Sequence, residues 1–176
     1  AKYSAPVQTA GEELVTRLNA DSAHLNARIT KLAAELPAGD ERRGQAVFNS
    51  TKAACTACHA IGYAGGKFGP DLTRIGQART TRDLLEAIVA PSATFVQGYE
   101  PFTVTTRDGV QHFGLLRKNS PDEVLLATGP QTEERLARAD VTEMQPGTAS
   151  LMPQGLDQIL NVQELADLIA FLNPKK

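Results

Sequence analysis

The chain has 176 residues, 41% apolar and 22% charged, with a net charge of -2 and a pI near 5.9. That is an ordinary globular composition with room for one domain and an appendage, and it argues against disorder. Lys and Arg are scattered without a basic stripe, which excludes the electrostatic footprint of a nucleic-acid binder.

Apolar runs such as Leu168-Ile169-Ala170-Phe171-Leu172 fall far short of the roughly 20 residues that cross a bilayer, so no membrane span is expected. The opening AKYSAPVQTAGEEL has no charged segment followed by an apolar core, so any secretory signal lies outside this sequence.

In chain order, residues 12–36 place Leu18, Leu25, Ile29, Leu32 and Leu36 on one helical face. Asn19, Asp21 and Ser22 are able to split that helix in two, and Pro37 and Gly39 end it. Asp40 is placed to cap a short helix through Gln45, Ala46, Val47 and Phe48. This helix delivers the chain to Cys55-Thr56-Ala57-Cys58-His59. The following YAGGKFGPDLTRIG, rich in Gly, reads as loop, and Thr80 or Thr81 caps a helix, RDLLEAIVA, that Pro91 and Ser92 close.

YEPFTVTT and VQHFGLL flank Arg107-Asp108-Gly109 and predict a β-hairpin with Asp108-Gly109 as a two-residue turn. In that register Val104 faces Phe113 and Phe102 faces Leu115 on an apolar face, and Thr105 faces His112 on the other. Asn119-Ser120-Pro121-Asp122 predicts a second turn, followed by strand EVLLAT and one further strand near ERLARADV. Together these form a small antiparallel sheet insert over about residues 97–144. The insert either caps the neighbouring site or offers a docking or dimer-forming edge. Asn161 and Glu164 form a capping box for a final amphipathic helix bearing Leu165, Leu168, Ile169 and Leu172. Lys175 and Lys176 read as an exposed tail.

Cys55 and Cys58 are the only cysteines. Four readings compete for C-x-x-C-H. A redox dithiol needs a βαβ setting, which these flanks do not provide. A zinc site needs a fourth ligand, and His24 and His112 are the remaining histidines, neither aimed at the cluster. A structural disulfide is a third reading. The pattern favours the fourth, covalent haem c: two thiols at this spacing add to the two porphyrin vinyl groups, and the adjacent His59 ligates iron from one side. Of the two methionines, Met152 in SLMPQGL suits the sixth position, because Pro153 stiffens its loop. Met144 reads as a core filler, and Met144, His112 or an open site are the alternatives. The pairs Glu12-Glu13 and Glu133-Glu134 read as solvated faces rather than catalytic acids.

These residues resemble a class I cytochrome c: Gly44 and Phe48 before the cysteines, Cys55 to His59, Gly69-Pro70-Asp71-Leu72 after them, Leu151-Met152-Pro153, and ELADLIAFL at the end. The sequence is closer still to the C-terminal haem-binding domain of large dehydrogenase-like proteins of planctomycetes and verrucomicrobia. That domain similarly places a sheet insert with a GY…TVTTRDG…GLL pattern between GPDLTRIG and SLMPQGL.

The resemblance covers about residues 40–173 and implies a mainly α fold, that of a class I cytochrome c, with the β insert between the haem-attachment loop and the Met-ligand loop. Residues 1–39 would be a helical extension. The resemblance further implies one covalent haem c with its iron, ligated by His59 and Met152. Cys55, Cys58, Pro70, Leu72, Ile75, Leu151 and Pro153 complete the cofactor site, the Pro70 carbonyl orienting His59. Gly44 and Phe48 should meet Leu168 and Phe171 where the first and last helices cross. Such cytochromes often hold a haem propionate with Trp, which this chain lacks; Tyr63, Arg74, Arg79, Tyr99 and Gln154 are the candidates for that role.

The implied function is single-electron transfer between a redox donor and acceptor in the periplasm or outside the cell, without enzyme activity of its own. The rival readings are the haem domain of a larger dehydrogenase and a haem sensor or peroxidase with a labile sixth ligand.

Overall fold

The computed structural model describes residues 4–174, which leaves the Lys175-Lys176 tail outside the described residues. The chain divides into two compact units, one ending at Glu35 and the other beginning at Leu36. The first is a single helix, α1 (Ala5–Glu35). Asn19, Asp21 and Ser22 do not break it, since each is only mildly unfavourable in a helix interior.

The second unit contains α2 (Glu41–Asn49), α3 (Cys55–Cys58), a two-stranded ribbon β1 (Ala60–Ile61) and β2 (Ala64–Gly65), α4 (Ile75–Ala78) and α5 (Thr81–Val89). The strands β3 (Pro101–Thr106), β4 (Gln111–Asn119), β5 (Glu123–Gly129), β6 (Thr132–Ala137) and β7 (Val141–Pro146) follow, then α6 (Leu156–Ile159) and α7 (Val162–Leu172). Helix makes up 43% and strand 22%, so the sheet claims a larger share than a mainly helical reading anticipates.

Local capping chemistry sets the helix starts. Asp40 accepts from the Arg43 N–H at the head of α2, and Thr80 with Asp83 and Asn161 with Glu164 form reciprocal capping boxes on α5 and α7. The α7 stripe Leu165, Leu168, Ile169 and Leu172 is buried, each side chain contributing roughly 1.5–3 kcal/mol.

Helix α2 packs on α7, and Gly44 makes that approach possible, since a Cβ there would run into the Asp167 carbonyl and lie 2.7 Å from the Phe171 Cβ. Phe48 and Phe171 meet with ring centroids 5.6 Å apart. At the same junction buried Asp167 accepts from the Asp40 N–H (2.7 Å), Arg43 Nε (2.7 Å) and Nη2 (2.9 Å), and Gln163 Nε2 (2.9 Å). These four bonds hold its carboxyl down at about 2, the Arg43 bond contributing most.

The sheet is antiparallel in the order β6-β5-β4-β3-β7. Its first hairpin corrects the expected register by one residue: Val104 pairs with His112, Phe102 with Gly114 and Thr103 with Phe113. The turn has three residues, Arg107-Asp108-Gly109. Gly109 N–H donates to Thr106 O, Thr106 N–H donates to Val110 O, and Gly109 sits at φ 85°. This is a type I turn closed by a left-handed residue rather than a two-residue primed turn.

A one-residue slip sends neighbouring side chains to opposite faces. Phe102 and Val104 therefore lie on one face, and Phe113 and Leu115 on the other. The expected single strand near ERLARADV is two strands, β6 and β7, joined by a 3-10 turn, Arg138–Asp140. Strand pairing therefore runs from residue 101 to 146.

Both faces of the sheet are apolar. On one, Val104, Val124 and Leu126 are fully buried beneath Phe102, Leu116, Leu136, Val141 and Met144. Because Leu136 and Val141 belong to opposite edge strands, the sheet curls around this cluster. On the other face, Leu115 and Ala127 pack against Phe68 of the loop after β2, with Cys58, Tyr99 and Leu151 around them. This second face brings the sheet to the cysteine cluster.

Candidate functional site

Cys55 and Cys58 are the first and last residues of α3, a single turn entered through Ala54 at φ 50° and closed by the His59 N–H donating to Cys55 O. One turn of helix projects residues i and i+3 to the same side. The two free, half-buried thiols thus point one way. Burial pushes the Cys55 thiol up to about 11 and raises Cys58 as well. A nucleophilic dithiol needs the opposite shift, so the site lacks the electrostatics of a thiol-disulfide reagent.

His59 follows in extended backbone, and its Nδ1 lies 2.8 Å from the Pro70 carbonyl oxygen. A carbonyl can only accept, so Nδ1 carries the proton and Nε2 keeps its lone pair. Burial lowers the pKa of His59, with the Pro70 bond opposing, and the neutral imidazole is the ligating form. Gly69 lies against the ring: a Cβ there would be 2.6 Å from the His59 Cε1. The same segment is tied back to the cysteine turn, Gly66 N–H donating to Thr56 O (2.8 Å) and Gly69 N–H to Cys58 O (2.7 Å).

The remaining expected site residues fall into two groups. Leu72 donates its N–H to Ala60 O, and Ile75 opens α4 with its N–H on Leu72 O, so both are fixed to the ribbon next to His59. Leu151 packs, as Cys58 does, against the cluster of Phe68, Leu115 and Ala127. Met152 follows it, half-buried, with Pro153 exposed. Their loop is organised by two serines. Ser92 Oγ accepts from the Ser150 N–H (2.9 Å) and Gln154 Nε2 (3.2 Å), and Ser150 Oγ accepts from the Met152 N–H (3.1 Å). Sequence reasoning missed Ser92, whose only signal was its place at the end of α5.

The candidates for other roles are dispersed. Met144 packs on the core of the curled sheet, with Arg138 Nη1 3.7 Å from its sulfur. His112 lies on that same face and not on the expected polar one, with Nδ1 2.6 Å from Glu134 Oε2. Tyr63 is fully exposed at the tip of the β1–β2 ribbon. Gln154 is spent on Ser92, Tyr99 lies under the guanidinium of Arg117 at 5.8 Å, and Arg74 and Arg79 flank α4 at the surface. Among the described residues no three His, Cys, Asp or Glu side chains converge as a metal-binding set.

The arrangement therefore offers two thiols on one side of a helical turn and a neutral imidazole with a free Nε2. Beside them lie half-buried apolar side chains, Leu72, Ile75 and Leu151. That donor set fits a flat, apolar, iron-bearing macrocycle attached through sulfur. Residues 41–112 match the family model for cytochrome c. Members of that family bind haem c, with its iron, covalently, and typically act as electron carriers. The match begins at the first residue of α2 and ends inside β4, so the Met152 loop and α7 lie beyond it. None of the curated proteins matches the chain. Among the described residues no helix is long and apolar enough to cross a membrane.

Proposed function

We propose that residues 36–174 are a mono-haem c-type electron-transfer domain, with Cys55 and Cys58 as the thioether anchors, His59 as the proximal ligand and Met152 as the sixth. The observation that carries this is the Nδ1–H bond of His59 to Pro70, directly after a single-turn C-x-x-C within the segment matching cytochrome c. A bound haem c would supply a one-electron ferric/ferrous couple.

The chain's contribution is orientation. Pro70 fixes the tautomer and raises the basicity of His59, and the serine pair holds the backbone of the Met152 loop. Ligands held in both oxidation states keep reorganisation small, which suits carriage of single electrons between a redox donor and acceptor. The sheet insert between Pro70 and Met152 supports kinship with the haem domain of dehydrogenase-like proteins, whose catalytic part would be the natural donor. Haem c attachment takes place outside the cytoplasm, so the working location is the periplasm or beyond.

The test is the absorption spectrum of protein matured with haem in the periplasm. Alkaline pyridine should give one covalent haem c per chain. Ferric wild type should show the weak far-red band of iron bound to Met sulfur, and Met152→Ala should lose that band and bind carbon monoxide when reduced. Carbon monoxide binding by reduced wild type would overturn the Met152 assignment in favour of a sensor or peroxidase.

A further inference from the structure

We infer that Arg117, on β4 of the sheet insert, is a positioning residue for the bond between His59 and Pro70 and so tunes the haem iron; this rests on the electron-transfer reading above. Arg117 Nη2 donates to the carbonyls of both Lys67 and Phe68 at 3.1 Å. Those carbonyls immediately precede Gly69 and Pro70, the residue under the imidazole ring and the residue that accepts its Nδ1–H hydrogen bond.

The segment 67–70 is thereby gripped from two directions. Its Gly69 N–H is tied to the cysteine turn, and its Lys67 and Phe68 carbonyls are tied to the sheet. The guanidinium stays in place because Tyr99 lies beneath it and because Phe68 packs on Leu115 and Ala127 of the same sheet. A planar, permanently charged guanidinium holds two carbonyls through one of its nitrogens, Nη2, at every pH of interest. Displacing this segment changes the length of the one bond that sets imidazole basicity.

Two effects of removing Arg117 have opposite signs, which makes the inference testable. Loss of a nearby cation by itself favours the more positive, ferric iron and lowers the reduction potential. A longer His59–Pro70 bond makes His59 a weaker donor, disfavours ferric iron and raises the potential.

The experiment is redox titration of the full haem-loaded chain as wild type, Arg117→Ala and Arg117→Lys, with hydrogen exchange of the His59 ring N–H followed by NMR. The haem reading is judged on the wild type alone, by its pyridine spectrum and by a ring N–H assignable to an iron-bound histidine. For Arg117→Ala the expected result is a higher potential and faster ring N–H exchange. Arg117→Lys, which keeps the charge but not the planar guanidinium, should show a smaller rise. A lower potential in Arg117→Ala, or no change in both readouts, overturns the inference. If Arg117→Ala does not accumulate, Arg117→Lys decides: a rise sustains the inference, and an unchanged potential with unchanged exchange overturns it.

Discussion

The two banks of the candidate site are held by different means. On the His59 bank the side chain itself is fixed: the Pro70 carbonyl accepts the hydrogen bond of its Nδ1–H, Gly69 lies against its ring, and Arg117 pins the intervening loop. On the Met152 bank the hydrogen bonds go to the loop, the Ser150 and Met152 N–H groups and the Gln154 amide being held by Ser92 and Ser150. The lesson is that, of the two ligands proposed above, the fold orients His59 through a bond to its own ring and reaches Met152 through the backbone of its loop.

The strongest way to break the comparison is to remove what attaches the first bank. Cys55→Ala with Cys58→Ala should abolish covalent haem, read as haem absorbance lost from the chain after denaturing extraction.

Next comes Gly69→Ala. Its Cβ would overlap the imidazole, so the ring or the loop must shift, at a cost of about 1–3 kcal/mol. The expected outcome is a lower thermal midpoint with an altered visible spectrum, whereas a merely stiffened loop would leave the spectrum alone.

Asp167→Asn tests the helix junction. Asp167 titrates at about 2 in the fold against an ordinary 3.8, so its stabilisation is full above the ordinary value and is lost as pH falls toward 2. The substitution should cost about 1–2 kcal/mol near neutrality, allowing for solvent screening at the exposed Arg43, and should flatten the acid limb of stability against pH. Urea melts at pH 3 and pH 7 would measure both.

The smallest effect is expected on the Met152 bank. Ser92→Ala removes two accepted bonds, from the Ser150 N–H and the exposed Gln154 amide, and should change stability by about 1 kcal/mol. It should nonetheless make the far-red Met band disappear at a lower temperature than in wild type. An unchanged band would mean that Met152 is held by something other than its loop.

How much of this was legible in the sequence depends on the range of the signal. Asp40, Thr80 and Asn161 were readable as caps because a cap's partner lies three residues away. Cys55, Cys58, His59 and Pro70 likewise fall in one short segment whose spacing carries its chemistry. The hairpin register was misread because Asp-Gly serves a two-residue turn and also the end of a three-residue one, and only the pairing across β3 and β4 decides. Strand β7 escaped because VTEMQP alternates poorly between apolar and polar residues. Arg117 and Ser92 act across about 50 and 58 residues of chain, where local pattern says nothing.

The clasp between Arg43 and Asp167 joins residues 124 apart. A contact of that span must wait for nearly the whole domain to emerge, whereas the cysteine turn is complete within the first 60 residues. The thiols are therefore made long before the core that will shelter them can close. Under the function proposed above, attachment to these thiols need not wait for the final helix, whose packing on α2 closes the domain.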